Sequence, residues 1–305
     1  MPAISAVIPT YNRAPFLEDA VRSVLNQTHA DLECIVVNGG STDETPKLLD
    51  AIRDDRLRVI TRDRPRGPSN ARNVAIEQAS GEYILFLDDD DRLYENAIKR
   101  LVETLRNQPP GCAGVYTAQC QINEMEGAHT RRITDGRVDY YADSKIGGPS
   151  CTLLRAEVFE EVGLFDESFP AVEDTEFWIR LFSAYHMIAL DCVLYERRLH
   201  DEQITADPQL MLKGSLKLLE KHGTSFSPYT KAQHYYSIAH KHAQLDRTAT
   251  ARSYIRRAIR EYPWRLAYYY YHWWLLFGIF GYILGQKVHH QIYRPIVDRI
   301  GHSHQ

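Results

Sequence analysis

The stretch YILFLDDDD, residues 83–91, decides the fold because it joins a continuous apolar run to four consecutive carboxylates. Five apolar or aromatic residues in a row predict a strand covered on both faces, as in a parallel α/β sheet. Ligands of such sheets gather at the carboxyl ends of the strands. Hard divalent ions prefer carboxylate oxygens and substrate phosphates, and they relieve the repulsion between adjacent acids. The stretch therefore predicts a metal and phosphate site, with a solvated acidic turn as the alternative.

The residues around this stretch alternate strand and helix patterns in the βαβ rhythm of a parallel sheet. The predicted elements are strands at 4–8, 32–37 and 57–61, and helices at about 15–27, after Asp43, and at about 69–79. In the first helix, Phe16 and five further apolar residues recur at helical spacing and predict a core-facing stripe. Further strands are predicted at 114–122 and 187–195. The polar, glycine-containing segment 127–150 is either a loop that closes over a substrate or a plain connector.

Four short motifs follow one another along this predicted sheet. They are Pro9-Thr10-Tyr11-Asn12-Arg13, Gly40-Ser41-Thr42-Asp43, the 83–91 stretch, and Gly163-Leu164-Phe165-Asp166 followed by Glu173-Asp174. Their order and spacing resemble the family-2 inverting glycosyltransferases, over roughly residues 3–205. The resemblance implies an α/β fold of the GT-A type, a Rossmann-like mixed sheet with helices on both faces, in a catalytic domain at 1–206. It also implies a hexosyltransferase-type glycosyltransferase that moves a sugar from a nucleotide diphosphate-sugar to an acceptor hydroxyl.

The resemblance implies that the donor nucleotide lies over the first two motifs, one helix and the acids. The implied donor-binding residues are Pro9, Thr10, Tyr11, Asn12, Asn38, Arg72, Asp88 and Asp89. The implied cofactor is Mn²⁺ or Mg²⁺, bound by Asp90 and by His200, which neutralises charge on the leaving diphosphate. The alternatives are a plain strand-exit turn for the first motif, a surface helix arginine for Arg72, and a histidine without a role in the site for His200.

Inversion at the anomeric carbon needs one base to take the proton of the acceptor hydroxyl. The resemblance assigns that role to Asp174 and places Glu173, Gly148 and Ser150 on the acceptor side. The alternative for the Glu-Asp pair is stabilisation of the positive end of a helix dipole. One departure concerns the donor: Asn38-Gly39 stands where the family commonly has two acids. This departure counts against uridine as the donor nucleoside and leaves guanosine and thymidine open.

The last third of the chain has a different composition and predicts a helical, basic, aromatic-rich region at 207–305. It carries 14 Lys and Arg against 5 Asp and Glu, a balance of +9, whereas residues 1–206 carry −13 within the total of −4. Residues 248–262 predict a basic amphipathic helix, and residues 266–285 contain no Asp, Glu, Lys or Arg. This run is long enough for one bilayer core, but its aromatics favour membrane interfaces. An in-plane or re-entrant anchor, a full span and a dimer interface are the alternatives.

These features together predict a membrane-associated enzyme of glycan biosynthesis at the cell envelope. The expected partners are a nucleotide diphosphate-sugar, a lipid-linked or polysaccharide glycan acceptor, and a membrane surface contacted through 250–290; no nucleic acid is expected, and a homo-oligomer is open. No leader pattern precedes the first strand, so the expected location is cytoplasmic, peripheral to or anchored at the cytoplasmic face of the membrane. The alternative function is a catalytically silent sugar-nucleotide-binding or scaffolding protein of a glycan assembly pathway.

Overall fold

The computed structural model describes residues 3–123, 129–132, 136–138, 148–200 and 203–288, and the chain divides into two compact units. The first, which we call the sheet unit, comprises Met1–Phe169 and Glu173–Glu202. The second, the helical unit, comprises Pro170–Val172 and Gln203–Gln305. The division lies close to the boundary predicted after residue 206. Most of the predicted glycine loop at 127–150 lies outside the described residues.

The described part of the sheet unit contains a mixed sheet of ten strands. The strands are β1 (Ile4–Thr10), β2 (Leu32–Asn38), β3 (Leu57–Thr61), β4 (Tyr83–Phe86), β5 (Arg92–Leu93), β6 (Cys112–Asn123), β7 (His129–Arg132), β8 (Gly136–Val138), β9 (Thr152–Arg155) and β10 (His186–Leu199). The order is β3-β2-β1-β4-β9-β6-β10-β5, with β7 beside β6 and β8 beside β10. The predicted parallel pairing of the first four strands is confirmed.

Strand β9 makes the sheet mixed, because it pairs antiparallel with both β4 and β6. The contact with β6 requires a glycine: a Cβ on Gly114 would lie 2.3 Å from the backbone oxygen of Leu153. Ser150 lies two residues before the start of β9. The pairing of β9 with β4 brings Ser150 beside the acidic stretch, where its hydroxyl accepts from the backbone N–H of Asp88. The antiparallel strand thus completes the edge of the sheet where the four aspartates lie.

Helices cover both faces of the sheet, which explains the continuous apolar run in β4. The helices are α1 (Ala14–Leu25), α2 (Thr45–Ala51), α3 (Pro68–Gln78), α4 (Ala97–Arg106), α5 (Val158–Val162) and α6 (Glu173–Ala184). Alternate residues of β4 enter different cores: Leu85 packs on the side of α1 and α4, whereas Ile84 and Phe86 pack on the side of α3 and α6. The prediction of a strand buried on both faces is confirmed.

The helical unit consists of consecutive helices packed around small residues and tyrosines. The helices are α7 (Pro208–His222), α8 (Pro228–Gln244), α9 (Thr248–Glu261), α10 (Leu266–Trp274) and α11 (Gly278–Val288). The apolar run 266–285 does not form one continuous helix, because the chain breaks in a short 3-10 turn at Leu275–Phe277 and Gly278 takes a φ of +68°. Among the described residues, no helix is both long and apolar enough to cross a membrane.

Candidate active site

The acidic stretch forms a compact cluster of three carboxylates just beyond the carboxyl end of β4. Ligand oxygens of Asp88, Asp90 and Asp91 all lie within 4.8 Å of one another. Burial, and then the charge of Asp90, raises the pKa of Asp91 well above its usual range. Three oxygen ligands at this spacing fit the coordination that Mg²⁺ or Mn²⁺ prefers, and a cation would offset the repulsion among the acids. The donor set therefore fits the implied cofactor.

Asp89 does not belong to this group of three carboxylates. Burial raises the pKa of Asp89 to about 7, while the nearby Thr10 side chain acts in the opposite direction. Asp89 therefore lies beside the end of β1, where the resemblance implied a nucleotide, and Asp91 is the third member of the carboxylate cluster. The donor-binding role of Asp89 stays a prediction.

His200 lies against the acidic cluster although it is 110 residues away in sequence. Strand β10 pairs with β5, and it delivers His200 so that Nε2 lies 3.0 Å from Oδ2 of Asp90. The imidazole ring stacks on Phe16, with 4.7 Å between ring centroids and 18° between planes. The prediction that the whole apolar stripe of α1 is core is therefore wrong at Phe16, which is half-buried and supports the histidine. This position is compatible with the implied metal-binding role of His200.

Arg72 is the central link of the site. Its guanidinium donates from Nη2 to Oδ1 of Asp88 and from Nη1 to Oε1 of Glu173, both at 2.8 Å. The residue is only 4% exposed, so the alternative of a surface helix arginine is wrong. Burial alone would lower the pKa of Arg72, but Asp88 and Glu173 outweigh it and raise the pKa. One cation thus joins the acids at the end of β4 to the first residue of α6.

Removing this cation is expected to leave two carboxylates without their shared partner. We expect Arg72→Gln to lower the free energy of unfolding by about 3 kcal/mol, because breaking a buried ion pair strands a desolvated charge. The matched control is Arg92→Gln, which breaks the exposed pair with Glu196 and should cost less than about 1 kcal/mol. Urea denaturation of the two variants measures the difference. Equal losses would contradict the bridging role of Arg72.

The candidate base Asp174 lies in the first turn of α6, beside Glu173. Its Oδ1 accepts a hydrogen bond from the backbone N–H of Thr175 at 2.6 Å. A Cβ on Gly148 would lie 4.0 Å from its Oδ2. Burial, and then the charge of Glu173, raises the pKa of Asp174 to about 7. A carboxyl that titrates near neutral pH is suited to general base catalysis, so the geometry and the protonation behaviour agree with the implied role.

Ser150, which was predicted on the acceptor side, contacts the acidic stretch. Its hydroxyl accepts a hydrogen bond from the backbone N–H of Asp88 at 2.9 Å, and it also lowers the pKa of Asp91. Gly148 remains beside Asp174. Gly148 and Glu173 thus adjoin the candidate base, whereas Ser150 contacts the backbone of Asp88. The acceptor-side role of these residues stays a prediction.

The loops that follow β1 and β2 are tied together by hydrogen bonds. Asn12, which has a φ of +53°, accepts from the backbone N–H of Thr42 at 2.8 Å and donates its own backbone N–H to Ser41 Oγ. Its side-chain oxygen is therefore engaged in holding the loops. Pro9 and Thr10 end the buried strand, whereas Tyr11 is exposed. These contacts support a turn that is structurally defined, and a nucleotide-binding role for its residues stays a prediction.

Asn38 closes β2 with a buried amide whose orientation is determined by one contact. Its Oδ1 accepts from the backbone N–H of Ser41 at 2.9 Å, so the other amide atom must be the Nδ2 donor. Among the described residues, this Nδ2 has no hydrogen-bond partner, although it is buried. The family's expected carboxylate could only accept at this place, whereas Asn38 presents a donor.

The structure adds a contact that the sequence motifs did not reveal. Asn73 on α3 donates from Nδ2 to the backbone oxygen of Phe165 and accepts from the N–H of the same residue, both at 2.9 Å. Asn70 and Asn73 also donate to the carboxylate of Glu167. Their spacing of three residues, on the helix that carries Arg72, was the available signal. These hydrogen bonds hold residues 163–167 against α3 and thereby position the chain that leads to Asp174.

Comparison with known proteins assigns the family. Residues 5–163 match the model of the family described as "Glycosyl transferase family 2". The chain therefore belongs to glycosyl transferase family 2. It is 31% identical over 193 residues to the GalNAc(5)-diNAcBac-PP-undecaprenol beta-1,3-glucosyltransferase of Campylobacter jejuni, which covers 60% of each chain. It is also 29% identical over 238 residues to an uncharacterized glycosyltransferase of Rickettsia bellii. That match covers 74% of this chain but only 34% of the relative.

A solved structure gives the same fold. The crystal structure of Staphylococcus aureus TarS 1–349 in complex with UDP-GlcNAc superposes with a TM-score of 0.62 at 18% sequence identity, covering 94% of this chain and 91% of that one. The GT-A fold class predicted from the motifs is confirmed. At this level of sequence identity the likeness concerns the fold alone.

Proposed function

We propose that this protein is a metal-dependent, inverting glycosyltransferase that moves a sugar from a nucleotide diphosphate-sugar to a hydroxyl of a lipid-linked or polysaccharide glycan. One observation carries the proposal: Arg72 connects Asp88 of the three-carboxylate cluster to Glu173, the neighbour of the candidate base Asp174. A diphosphate-binding group and a base are thereby held in one site. The two functions are what transfer with inversion requires.

The donor side is built from the carboxylates, His200 and Arg72. Asp90 and Asp91, with His200 beside Asp90, would hold Mn²⁺ or Mg²⁺. The cation supplies charge neutralisation for the leaving nucleoside diphosphate without proton transfer. Asp88, already bound to Arg72, is held in place to meet the ribose. The UDP-GlcNAc named for TarS supports a nucleotide diphosphate-sugar as the donor class.

On the acceptor side, Asp174 and Glu173 have different surroundings and hence different roles. Glu173 is buried, and its Oε1 accepts a hydrogen bond from Nη1 of Arg72 at 2.8 Å, so its carboxylate is already occupied by the guanidinium. Asp174 has a pKa of about 7 and faces the space left by the missing side chain of Gly148. We infer that Asp174 takes the proton of the acceptor hydroxyl and that Glu173 keeps Arg72 in place.

The lipid-linked acceptor is supported by the name of one relative and by the composition of the helical unit. The Campylobacter relative is named for a substrate on undecaprenyl diphosphate. The helical unit carries the aromatic, acid-poor segment at 250–290 that the sequence assigns to a membrane surface. A transferase that acts on such an acceptor would work at the cytoplasmic face of the cell membrane.

The test is a screen of UDP-, GDP- and dTDP-sugars by thermal shift, with and without Mn²⁺, followed by transfer to polyprenyl-diphosphate-linked glycans. We expect one donor to stabilise the protein only when Mn²⁺ is present, and the product to have the opposite anomeric configuration by NMR. A product of retained configuration would overturn the inverting mechanism. Stabilisation that is unchanged by chelation of the metal would overturn the metal dependence.

The second candidate function, a catalytically silent sugar-nucleotide-binding protein, is favoured by Asn38-Gly39, which departs from the usual acidic pair. It predicts metal-dependent stabilisation by a donor without hydrolysis or transfer of the sugar. The intact acidic cluster and the raised pKa of Asp174 favour the enzyme. Release of nucleoside diphosphate in the same screen decides between the two.

A further inference from the structure

Helix α10 is apolar on two opposite faces, and among the described residues the helical unit buries only one of them. Tyr268, Tyr271 and Leu275 are buried in the core formed with α8 and α9. Offset from them, Leu266, Tyr269 and Trp273 recur at the same helical spacing and are exposed. The exposed set continues beyond the helix to Phe277 and Phe280. An apolar face of this extent is unusual for a surface that meets only water.

We use the term aromatic face for six exposed residues: Trp264, Leu266, Tyr269, Trp273, Phe277 and Phe280. Trp264 is 81% and Phe280 82% exposed, the largest values among the exposed apolar residues of the structure. Tryptophan and tyrosine prefer the headgroup region of a bilayer, because the ring has an apolar body and a polar edge. The composition of the face therefore suits a membrane interface better than a hydrocarbon core.

Positive charge borders the aromatic face. Arg252 and Arg256 of α9 lie close enough to His272, the neighbour of Trp273, to contribute to lowering its pKa, after burial as the main cause. Arg265 stands in the sequence between Trp264 and Leu266 of the aromatic face. The sequence has no Asp or Glu from 262 to 297. This charge complements anionic headgroups, whereas in a two-fold dimer built on the same face the arginines would approach their own copies.

We propose that the aromatic face docks in the headgroup region of a bilayer that contains anionic lipid, with α10 and α11 lying along the surface. α10 has nine residues and α11 eleven, about 14 and 17 Å of helix, well short of a bilayer core. This inference rests on the proposed function: docking would hold the transferase at the membrane that contains its lipid-linked acceptor. Docking itself needs none of the residues of the candidate active site.

The experiment is co-sedimentation of the full chain with vesicles of phosphatidylcholine alone or mixed with phosphatidylglycerol. The test variant is Trp273→Ser/Phe277→Ser/Phe280→Ser, and we expect it to bind mixed vesicles at least about tenfold less well, since each lost ring removes apolar burial. The matched control is Val59→Ser/Ile204→Ser, the same change at apolar residues that are 39% and 40% exposed elsewhere. The control should bind as the wild type does.

A second variant tests the charge. Arg256→Gln should weaken binding to mixed vesicles about fivefold, because each arginine near an anionic surface contributes about 1 kcal/mol. It should not change binding to phosphatidylcholine alone. Arg22→Gln, at an exposed arginine of α1, is the control for loss of one positive charge.

Three results would overturn the proposal. The first is that wild-type protein stays in the supernatant when mixed vesicles are sedimented. The second is that the triple variant binds these vesicles as well as the control does. The third is that the wild type forms a dimer without lipid, that the triple variant is monomeric, and that neither binds vesicles. Thermal stabilisation by donor and Mn²⁺, measured on the same preparations, separates docking from catalysis. If stabilisation is absent from the wild type while vesicle binding is normal, the transferase proposal fails and the docking surface stands.

Discussion

Asp174→Asn is expected to lower kcat by about a thousandfold, the typical contribution of a general base, while leaving donor binding close to that of the wild type. The amide nearly preserves the volume of the carboxyl and keeps the oxygen that accepts from the Thr175 N–H. It removes only the ability to take a proton from the acceptor hydroxyl. Single-turnover transfer and donor titration by calorimetry measure the two effects separately. Near-normal transfer by this variant would exclude Asp174 as the base.

The neighbouring carboxylate provides the matched comparison. Glu173→Gln keeps a hydrogen-bond acceptor for Arg72 but removes the charge, so we expect it to weaken the Arg72 contact without removing the base. Its kcat should fall about tenfold, far less than for Asp174→Asn. If the two substitutions have equal effects, or if Glu173→Gln is the more damaging, then Glu173 rather than Asp174 takes the proton.

The wild-type pH profile gives an independent check of this assignment. Burial and the charge of Glu173 raise the pKa of Asp174 to about 7, so the carboxyl is protonated below that pH and cannot act as a base. Transfer should therefore decrease as the pH falls through about 7. The residual transfer of Asp174→Asn should lose this dependence. A retained acidic limb in the variant would assign the titration to another group.

The parts of the fold that the sequence predicts are those specified by local periodicity. β1 to β4 appear where runs of apolar residues are separated by helical patterns, and the acids begin two residues after the end of β4. Short-range patterns cannot show how distant strands pair. The antiparallel insertion of β9 between β4 and β6 depends on the close approach at Gly114, which no local signal marks.

The candidate site divides in the same way. The acidic cluster is visible in the sequence because its three members lie within a run of four aspartates. That Asp91 rather than Asp89 completes the group depends on where the chain turns after β4. Arg72 looks like a surface residue in its own helix, and it is buried only because Asp88 and Glu173, the latter 101 residues away, approach it in the fold. Tertiary partners, rather than propensity, determine both outcomes.

The helical unit shows a further limit of periodicity. Residues 266–285 are apolar on every face, so the pattern cannot distinguish the buried tyrosines of α10 from its exposed aromatics. The break after Phe277 was equally hidden, although Gly278 supplies the positive φ that the turn requires. A uniform apolar run therefore predicts that the segment is shielded from water. It does not indicate which face of the helix packs against the protein and which face stays exposed.

Asp90→Ala is expected to abolish the stabilisation that Mn²⁺ confers on the protein together with its sugar nucleotide. The substitution removes one of three clustered carboxylates and leaves His200 without its 3.0 Å partner. We expect transfer to fall about a thousandfold, because a lost cation withdraws several kcal/mol of charge stabilisation from the departing diphosphate. Thermal shift over a Mn²⁺ series and the rate of transfer are the measurements.

Two companion variants make the result specific to the cluster. Asp50→Ala, at an exposed aspartate of α2, removes the same charge away from the site and should leave the response to Mn²⁺ unchanged. His200→Gln should shift that response by about tenfold in metal concentration, which is the scale of a supporting contact. An Asp90→Ala protein that still transfers sugar at the wild-type rate and still responds to Mn²⁺ would exclude Asp90 from the metal site. Equal responses of Asp90→Ala and Asp50→Ala would instead trace the effect to net charge, because the lost negative charge is then all that the two variants share.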